Sequence, residues 1–571
     1  MSLFFWWTAA AAAPYFEEVT EQLGAQPCDP VGCYSHYAQM ADLDGDGDLD
    51  FLFASGGGYY EPADAQPLLL YRNDGASFVL ASDTAFGGHS GRHRQISIGD
   101  IDGDLDLDVI APDSYALTDD AVFINDGTGN FVDEGAVRLP VRSRAGGARL
   151  GDLDGDLDLD LVLTDWGDMP PSSEGTAVVW LNDGSGSFQE SPAAVPQDTA
   201  GIGTGPIDVD LLDIDGDWDL DLLLASREGD SLLFRNNGAG IFVDANGDLP
   251  QQQGPYVYGP DPCDVDADLD LDLWLDNAST QLSEQLLLND GAGKFTDVTV
   301  AQVQPVPFAD DNEVQCVDID DDGDFDAMVA ALGDEERVLE NDGLGVFSRL
   351  LGVFPTGNDS TLGLDIGDLD GDGRLDVITA QGESGDFTNR VFLGTTEQAV
   401  DSHPPTLRAI SSIADGTALP AVVRFAVSDR MTTDTGPRLS DAWAECTVGT
   451  TTSVSAAQFV GGDLFAAVLT LPPGAGFEPS AEWRVCVTDP VGLSTCSEAV
   501  SFLLPEASGS GGSGTGASGG TGATGGTGGT TDTNEGSGAK GSQTSGCACD
   551  HAAPSTWAWV GLLLLAIRRQ R

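Results

Sequence analysis

Seven acidic nonapeptides hold the residues of this chain most able to do chemistry. They read DLDGDGDLD from Asp42, DIDGDLDLD from Asp100, DLDGDLDLD from Asp152, DIDGDWDLD from Asp213, DVDADLDLD from Asp264, DIDDDGDFD from Asp318 and DLDGDGRLD from Asp368. Their odd positions are Asp42, Asp44, Asp46, Asp48 and Asp50; Asp100, Asp102, Asp104, Asp106 and Asp108; Asp152, Asp154, Asp156, Asp158 and Asp160; Asp213, Asp215, Asp217, Asp219 and Asp221; Asp264, Asp266, Asp268, Asp270 and Asp272; Asp318, Asp320, Asp322, Asp324 and Asp326; and Asp368, Asp370, Asp372, Arg374 and Asp376. Alternate side chains of a tight loop converge on one point, where so many carboxylates without a cation repel one another strongly. Calcium suits such a set, because it takes about six to eight hard oxygen ligands in flexible geometry, as the EF-hand loop supplies from similar positions. At position 7, where the last loop has Arg374, the backbone carbonyl is the expected ligand. Magnesium fits less well, since it keeps several waters in an octahedral site. Loops without His or Cys are poor sites for zinc or copper. One DxDxD is often a solvated turn; seven in phase predict about seven structural Ca2+ ions.

The elements that must position these loops follow from their spacing. Successive loops start 58, 52, 61, 51, 54 and 50 residues apart, and each runs into an apolar stretch such as Phe51-Leu52-Phe53. A second element, NDGxGxF, recurs between them at Asn125–Phe131, Asn182–Phe188, Asn289–Phe295 and Asn341–Phe347, with looser copies from Asn73 and Asn236. A unit near fifty residues, built of short apolar strands and Asn-Asp-Gly turns, predicts one four-stranded propeller blade. No 3.6-residue period runs through these segments, which excludes a helical solenoid. The seventh unit ends at Gly394 without its last strand, while Phe16-Glu17-Glu18-Val19-Thr20 resembles Phe295-Thr296-Asp297-Val298-Thr299. Residues 15–20 are therefore expected to pair into blade seven and close the ring. The fold class is all-β: a seven-bladed propeller over 14–400 with Ca-binding blade loops.

The combination of DxDGDGxxD with NDGxGxF resembles the FG-GAP/VCBS repeats of integrin α-chain propellers and bacterial surface proteins. The resemblance spans 15–395 and implies structural calcium loops between the first two strands of each blade. Position 6 departs from it. The family has a left-handed Gly there, as do Gly47, Gly323 and Gly373, whereas Leu105, Leu157, Trp218 and Leu269 carry a Cβ. A left-handed non-Gly residue costs about 1–2 kcal/mol, so either the backbone differs in those four loops or they bind more weakly.

A second chemistry-bearing set precedes the loops. His36 and Arg94 stand six residues before Asp42 and Asp100, with Tyr37 and His93 beside them. Tyr258 and Asn312 stand six before their own loops, and Arg144 eight before Asp152. In a propeller these stretches enter the innermost strands. His36, Tyr37, His93, Arg94, Arg144 and Tyr258 are thus expected to ring an axial mouth opposite the acidic loops, as a pocket for an acidic sugar or a carboxylate-bearing partner. Ordinary salt bridging to neighbouring aspartates is the competing reading. There is no nucleophile elbow, HExxH, phosphate loop or Cys–His protease pattern. Adhesion or ligand binding without catalysis is the leading expectation, and a polysaccharide lyase working at the mouth the alternative.

The remainder of the 571 residues sets the context. With 23 basic against 94 acidic residues and a net charge of −71, nucleic acid is not an expected partner; a protein or glycan is. Residues 1–13 have the apolar core and small-residue end of an export signal, though no basic start, and a buried strand is the alternative. Over 401–505 alternating apolar runs predict an Ig-like or fibronectin-like β-sandwich. Cys486 and Cys496 flank a hairpin turn there, and either could pair with Cys446. Local cysteine sets without paired CxxC motifs predict disulfides in an oxidising compartment. Residues 506–546 are a Gly/Ser/Thr-rich flexible linker. The end, 547–571, joins Cys547 and Cys549 to a short apolar run and an Arg-rich stop. It resembles the MYXO-CTERM sorting tails of myxobacterial surface proteins, which implies retention at the outer surface and membrane contact through the tail alone; a plain tail anchor is the alternative.

Overall fold

The computed structural model describes residues 13–505, apart from 29–31, 57–63, 76, 166–174, 197–205, 227–228, 251–256, 277–283, 305–309, 334, 356–359, 383–387, 431–438 and 475–477. The linker at 506–546, the tail with Cys547 and Cys549, and all but the last residue of the expected export signal lie outside the described residues. Among the described residues no helix is long and apolar enough to cross a membrane.

Seven four-stranded antiparallel sheets follow one another along the chain, one to each acidic loop. Their first strands are Ser35–Ala41, Ser97–Gly99, Ala145–Gly151, Pro206–Leu212, Pro260–Cys263, Asp310–Val317 and Thr361–Gly367. First strands of neighbouring blades lie against each other, so they form the inner ring of a seven-bladed propeller. Apolar side chains of consecutive sheets fill the space between them. Leu52 and Leu70 of blade one meet Ile98 and Phe123 of blade two, all but excluded from solvent. Closure occurs as the sequence implies: Phe16–Glu18 pairs antiparallel with Arg390–Gly394, and Phe16, fully buried, stacks on Phe354 at 4.6 Å. That pairing covers the edge blade seven would otherwise expose.

The inner strands are also stitched side to side. Met40 N–H donates to Asp365 (2.6 Å), Leu364 N–H to Glu313 (2.6 Å), Ala148 N–H to Gln95 (2.6 Å) and Cys316 N–H to Asp261. Buried inner-strand amides have no sheet partner on the axial side, so acceptors supplied by the adjoining blade satisfy them. A disulfide, Cys263–Cys316, adds a covalent link between blades five and six. Cys28–Cys33 is a local bridge.

Residues 401–505 place their strands in two groups that share one strand. Their eight strands make one continuous antiparallel sheet. The reason is Thr451–Gly461, long enough that its first part pairs with Asp441–Val448 and its last part with Leu464–Leu469. The sheet curves around its own core of Val423, Phe425, Trp483, Val485 and Phe502. Cys486 pairs with Cys496, leaving Cys446 a buried thiol.

Candidate metal loops and axial mouth

Each acidic loop joins the first strand of a blade to its second, which begins at the position-9 aspartate in all seven blades. Two left-handed residues fold every loop, with φ of 61–84° at position 4 and 76–95° at position 6. That conformation turns backbone N–H groups onto the first carboxylate. Gly45 donates to Oδ1 of Asp42 (2.8 Å) and Gly47 to its Oδ2 (3.0 Å); Gly103 and Leu105 repeat this on Asp100 at 2.8 and 3.0 Å. At position 9, Asp50 accepts from Leu43 (3.3 Å) and Asn73 (2.8 Å). Position 3 is different: Oδ1 of Asp44, Asp102, Asp154, Asp215 and Asp266 is buried and accepts no hydrogen bond. Carboxylate oxygens of positions 1, 3 and 9 approach within 4.8 Å of one another in loops two to four, and those of positions 1, 3 and 5 in loop one. Burial pushes every position-9 carboxyl upward, Asp50 and Asp108 to about 7 and Asp160, Asp221, Asp272, Asp326 and Asp376 to about 8. Gathered, half-buried carboxyls with an unsatisfied oxygen favour either protons or a cation, and an all-oxygen set suits a hard one. These clusters could hold metal ions. At position 7 the side chain turns away: the carboxylate of Asp158 lies against Gly184, where a Cβ would come within 2.4 Å of it.

The NDG asparagine is more than a turn former. Its Nδ2 donates both to the position-8 carbonyl of its own loop and to the position-2 carbonyl of the preceding blade's loop. Asn125 bridges Leu107 and Leu43, Asn182 bridges Leu159 and Ile101, and Asn341 bridges Phe325 and Val265, all at 2.8–3.1 Å. Asn73, Asn236 and Asn289 do the same. Six seams of the ring are tied in this way. The repeated Asn was visible in the sequence, but its reach across blades was not.

Sequence reasoning also missed what covers the loops. The 401–505 sheet docks on them: Asp152 N–H donates to Val460 O (2.7 Å), Arg424 pairs with Asp152 (3.3 Å) and Arg408 donates to Leu269 O (2.9 Å). Gly462 and Asp463, in the turn before Leu464–Leu469, line a cavity of about 20 Å³ with Arg149, Asp210 and Asp261 of the inner strands, covering that end of the axis. This answers the backbone half of the position-6 question. The backbone does not differ, since Leu105, Leu157, Trp218 and Leu269 all take φ of 76–79°. Leu157 and Trp218 pack on the cluster that Val460, Leu464 and Ala466 of the docked sheet form with blades three and four, which offsets their strain. Leu105 is 85% exposed and has no such return. Leu105→Gly is therefore expected to raise stability by about 1 kcal/mol, as is Ala267→Gly at the left-handed position 4 of loop five. Leu157→Gly gains the same relief but loses its packing, so its urea midpoint stays below that of Leu105→Gly; equal midpoints would refute the packing account.

At the other end of the axis the residue six before each loop lines one cavity in all seven blades: His36, Arg94, Gly146, Ile207, Tyr258, Asn312 and Leu362. Tyr37, Gln95, Asp208 and Glu313 complete it. It holds about 50 Å³, room for a few waters. Two expected members are absent from this lining. His93 turns outward, fully buried, with Nε2 3.0 Å from Nε2 of His89 and Nδ1 3.0 Å from Pro112 O. Arg144, two residues further from its loop than the others, stays outside as well. Burial holds His93 at about 4, and burial and Arg94 hold His36 well below its ordinary value, so both imidazoles are neutral. Of the expected cations Arg94 alone remains in the lining, beside Asp208 and Glu313. Arg149 stands just behind, 3.8 Å from Asp208 and over the Tyr37 ring at 5.7 Å. The mouth is thus charge-balanced rather than cationic, and salt bridging accounts for part of it.

The FG-GAP-like repeat family matches residues 34–111, 213–275 and 318–379. No curated protein matches the chain. Solved structures similar to it include the following three. BBS1N in complex with ARL6DN, soaked with lead, shares 10% identity over 68% of this chain and 100% of that one, with a TM-score of 0.43. The BP39L lectin from Burkholderia pseudomallei shares 14% over 64% and 97%, with a TM-score of 0.43. The V. cholerae biofilm matrix protein Bap1 shares 12% over 84% and 74%, with a TM-score of 0.29.

Proposed function

We propose that this chain, with FG-GAP-like repeats in a seven-bladed propeller, is an exported, calcium-loaded protein held at a bacterial cell surface, where it binds a protein or glycan without catalysis. The loops take Ca2+ through positions 1, 3, 5 and 9 and the position-7 carbonyl, with about seven ions in all. Three disulfides support an oxidising compartment. The flexible linker and the MYXO-CTERM-like tail supply the display.

The observation that carries the binding role is the mouth, where seven blades converge on one cavity while the opposite end of the axis is covered. Neutral His36, two tyrosines, Asn312 and a balanced Arg–carboxylate set suit a polyhydroxylated ligand better than a strongly anionic one. Small volume means the ligand rests across the opening, with hydrogen-bonding groups reaching in. A glycan array on the purified chain identifies the ligand. Arg94→Ala or Tyr258→Ala is then expected to weaken binding about tenfold at unchanged melting temperature, while Arg390→Ala in an outer strand binds normally. Wild-type affinity in both mouth variants would move the search to 401–505.

One observation favours the lyase alternative: His36, Tyr37, Tyr258 and Arg94 do share a cavity. A neutral imidazole can accept a proton, and a tyrosine can donate one. Unsaturated products from an acidic polysaccharide, lost in His36→Ala, would establish it.

A further inference from the structure

The ring of loops has one seam without its asparagine. Between loops six and seven the position of the NDG Asn falls to Gly394, whose N–H still reaches Asp376 (2.7 Å) but which has no side chain to cross the seam. Half of the missing work is done by Gln398, whose Nε2 donates to Leu375 O (3.1 Å), the position-8 carbonyl that Asn serves elsewhere.

The crossing itself is made from outside the propeller. Arg430, buried at the end of Ala421–Ser428, donates from Nε to Asp318 O in loop six (2.9 Å) and from Nη1 to Gly373 O in loop seven (3.3 Å). Its own carbonyl accepts Asp318 N–H at 2.9 Å. The chain between the domains adds to the tie. Asp401 N–H donates to Gly373 O (2.9 Å), and Ser402 Oγ and N–H donate to Asp321 at 2.5 and 3.0 Å. Asp321 stands at position 4 of loop six, where most other loops have Gly.

We propose that Arg430, with Gln398 and Ser402, substitutes for the missing asparagine and positions loops six and seven for their cations, so that cation binding at this seam and docking of 401–505 share one equilibrium. Arg suits the place because its rigid fork reaches two carbonyls at once. Arg430 touches backbone carbonyls rather than a cation, so it is a positioning residue, of the outer-sphere kind whose loss costs about 10–100-fold in metal affinity. The inference rests on the calcium reading, and its test separates the two.

The experiment uses the full chain, as wild type, Arg430→Ala and Arg430→Lys. Calcium is titrated calorimetrically, and hydrogen exchange is followed at 318–326 and 368–376. In Arg430→Ala two of the sites are expected to weaken at least tenfold, with faster exchange at those two loops and none at loops one to four. Arg430→Lys, one donor group instead of a fork, falls between. If the wild type binds calcium but Arg430→Ala changes neither affinity nor exchange, or changes every loop alike, the seam role is wrong and the calcium reading stands. If the wild type takes no calcium while exchange still rises at those two loops alone, the calcium reading fails and the structural tie stands.

Discussion

Chelating calcium from the full chain at about pH 8 is expected to unfold the propeller at room temperature or close to it, while the same chelation near pH 5 leaves it folded. Binding only to the native state stabilises by RT ln(1 + [L]/Kd), about 2.7 kcal/mol per site at a hundredfold excess. Seven independent sites reach roughly 19 kcal/mol, beyond the ~5–15 kcal/mol stability of most domains. The pH dependence comes from the cation-free loops. Their position-9 carboxyls titrate at about 7 in the fold for Asp50 and Asp108 and about 8 for the others, Asp376 among them, but at the ordinary 3.8 once unfolded. A raised native pKa means the native state holds protons that the unfolded chain has released. Stability without calcium is therefore greatest below about pH 4 on this account and falls as pH rises through the window to about 8. Calcium replaces those protons, so its affinity rises with pH and its binding releases them. Melting curves in chelator across this range test it; a midpoint independent of both calcium and pH would overturn structural calcium.

Much of this fold was legible because it repeats. Loop period, strand patterning and the displaced Phe16 strand depend on local sequence, and a ring of like units leaves one arrangement that satisfies all of them. What sequence could not give was contact between units. His93 and Arg94 are neighbours in the chain, yet one turns to Pro112 O and the other into the mouth. Arg144 has the right chemistry at the wrong offset. Leu157 and Trp218 at position 6 left a different backbone or weaker binding open, because the cluster that receives them includes Val460 and Leu464 from a sheet some 250–300 residues away. Arg430 has no motif at all; only its carbonyl partners, Asp318 and Gly373 in the two loops and Ala399 beside them, mark it.

Arg337→Met should cost the protein about 3–5 kcal/mol. Arg337 is 1% exposed, and its Nη2 donates to Glu284 Oε1 at 2.8 Å and to Asp311. Glu284 precedes the third strand of blade five and Asp311 lies in the inner strand of blade six, so the guanidinium ties two blades through buried charge. Without it two carboxyls face each other with nothing positive between them. Burial and Glu284 already push Asp311 up to about 9 even with Arg337 present to lower it. Removing Arg337 pushes that carboxyl higher still, so the penalty holds steady below about pH 9 and grows as pH rises beyond it, opposite to an acid-sensitive salt bridge. Adding Glu284→Gln and Asp311→Asn to Arg337→Met replaces the charges with groups that bond neutrally, and is expected to recover most of the loss. Asp311 adjoins Asn312 and Glu313 of the mouth, so the single variant should also weaken ligand binding, whereas calcium stoichiometry stays at the wild-type value. Urea denaturation of the three proteins at two pH values decides the matter: if the single variant is as stable as wild type, the triad is not what holds blades five and six together at this end.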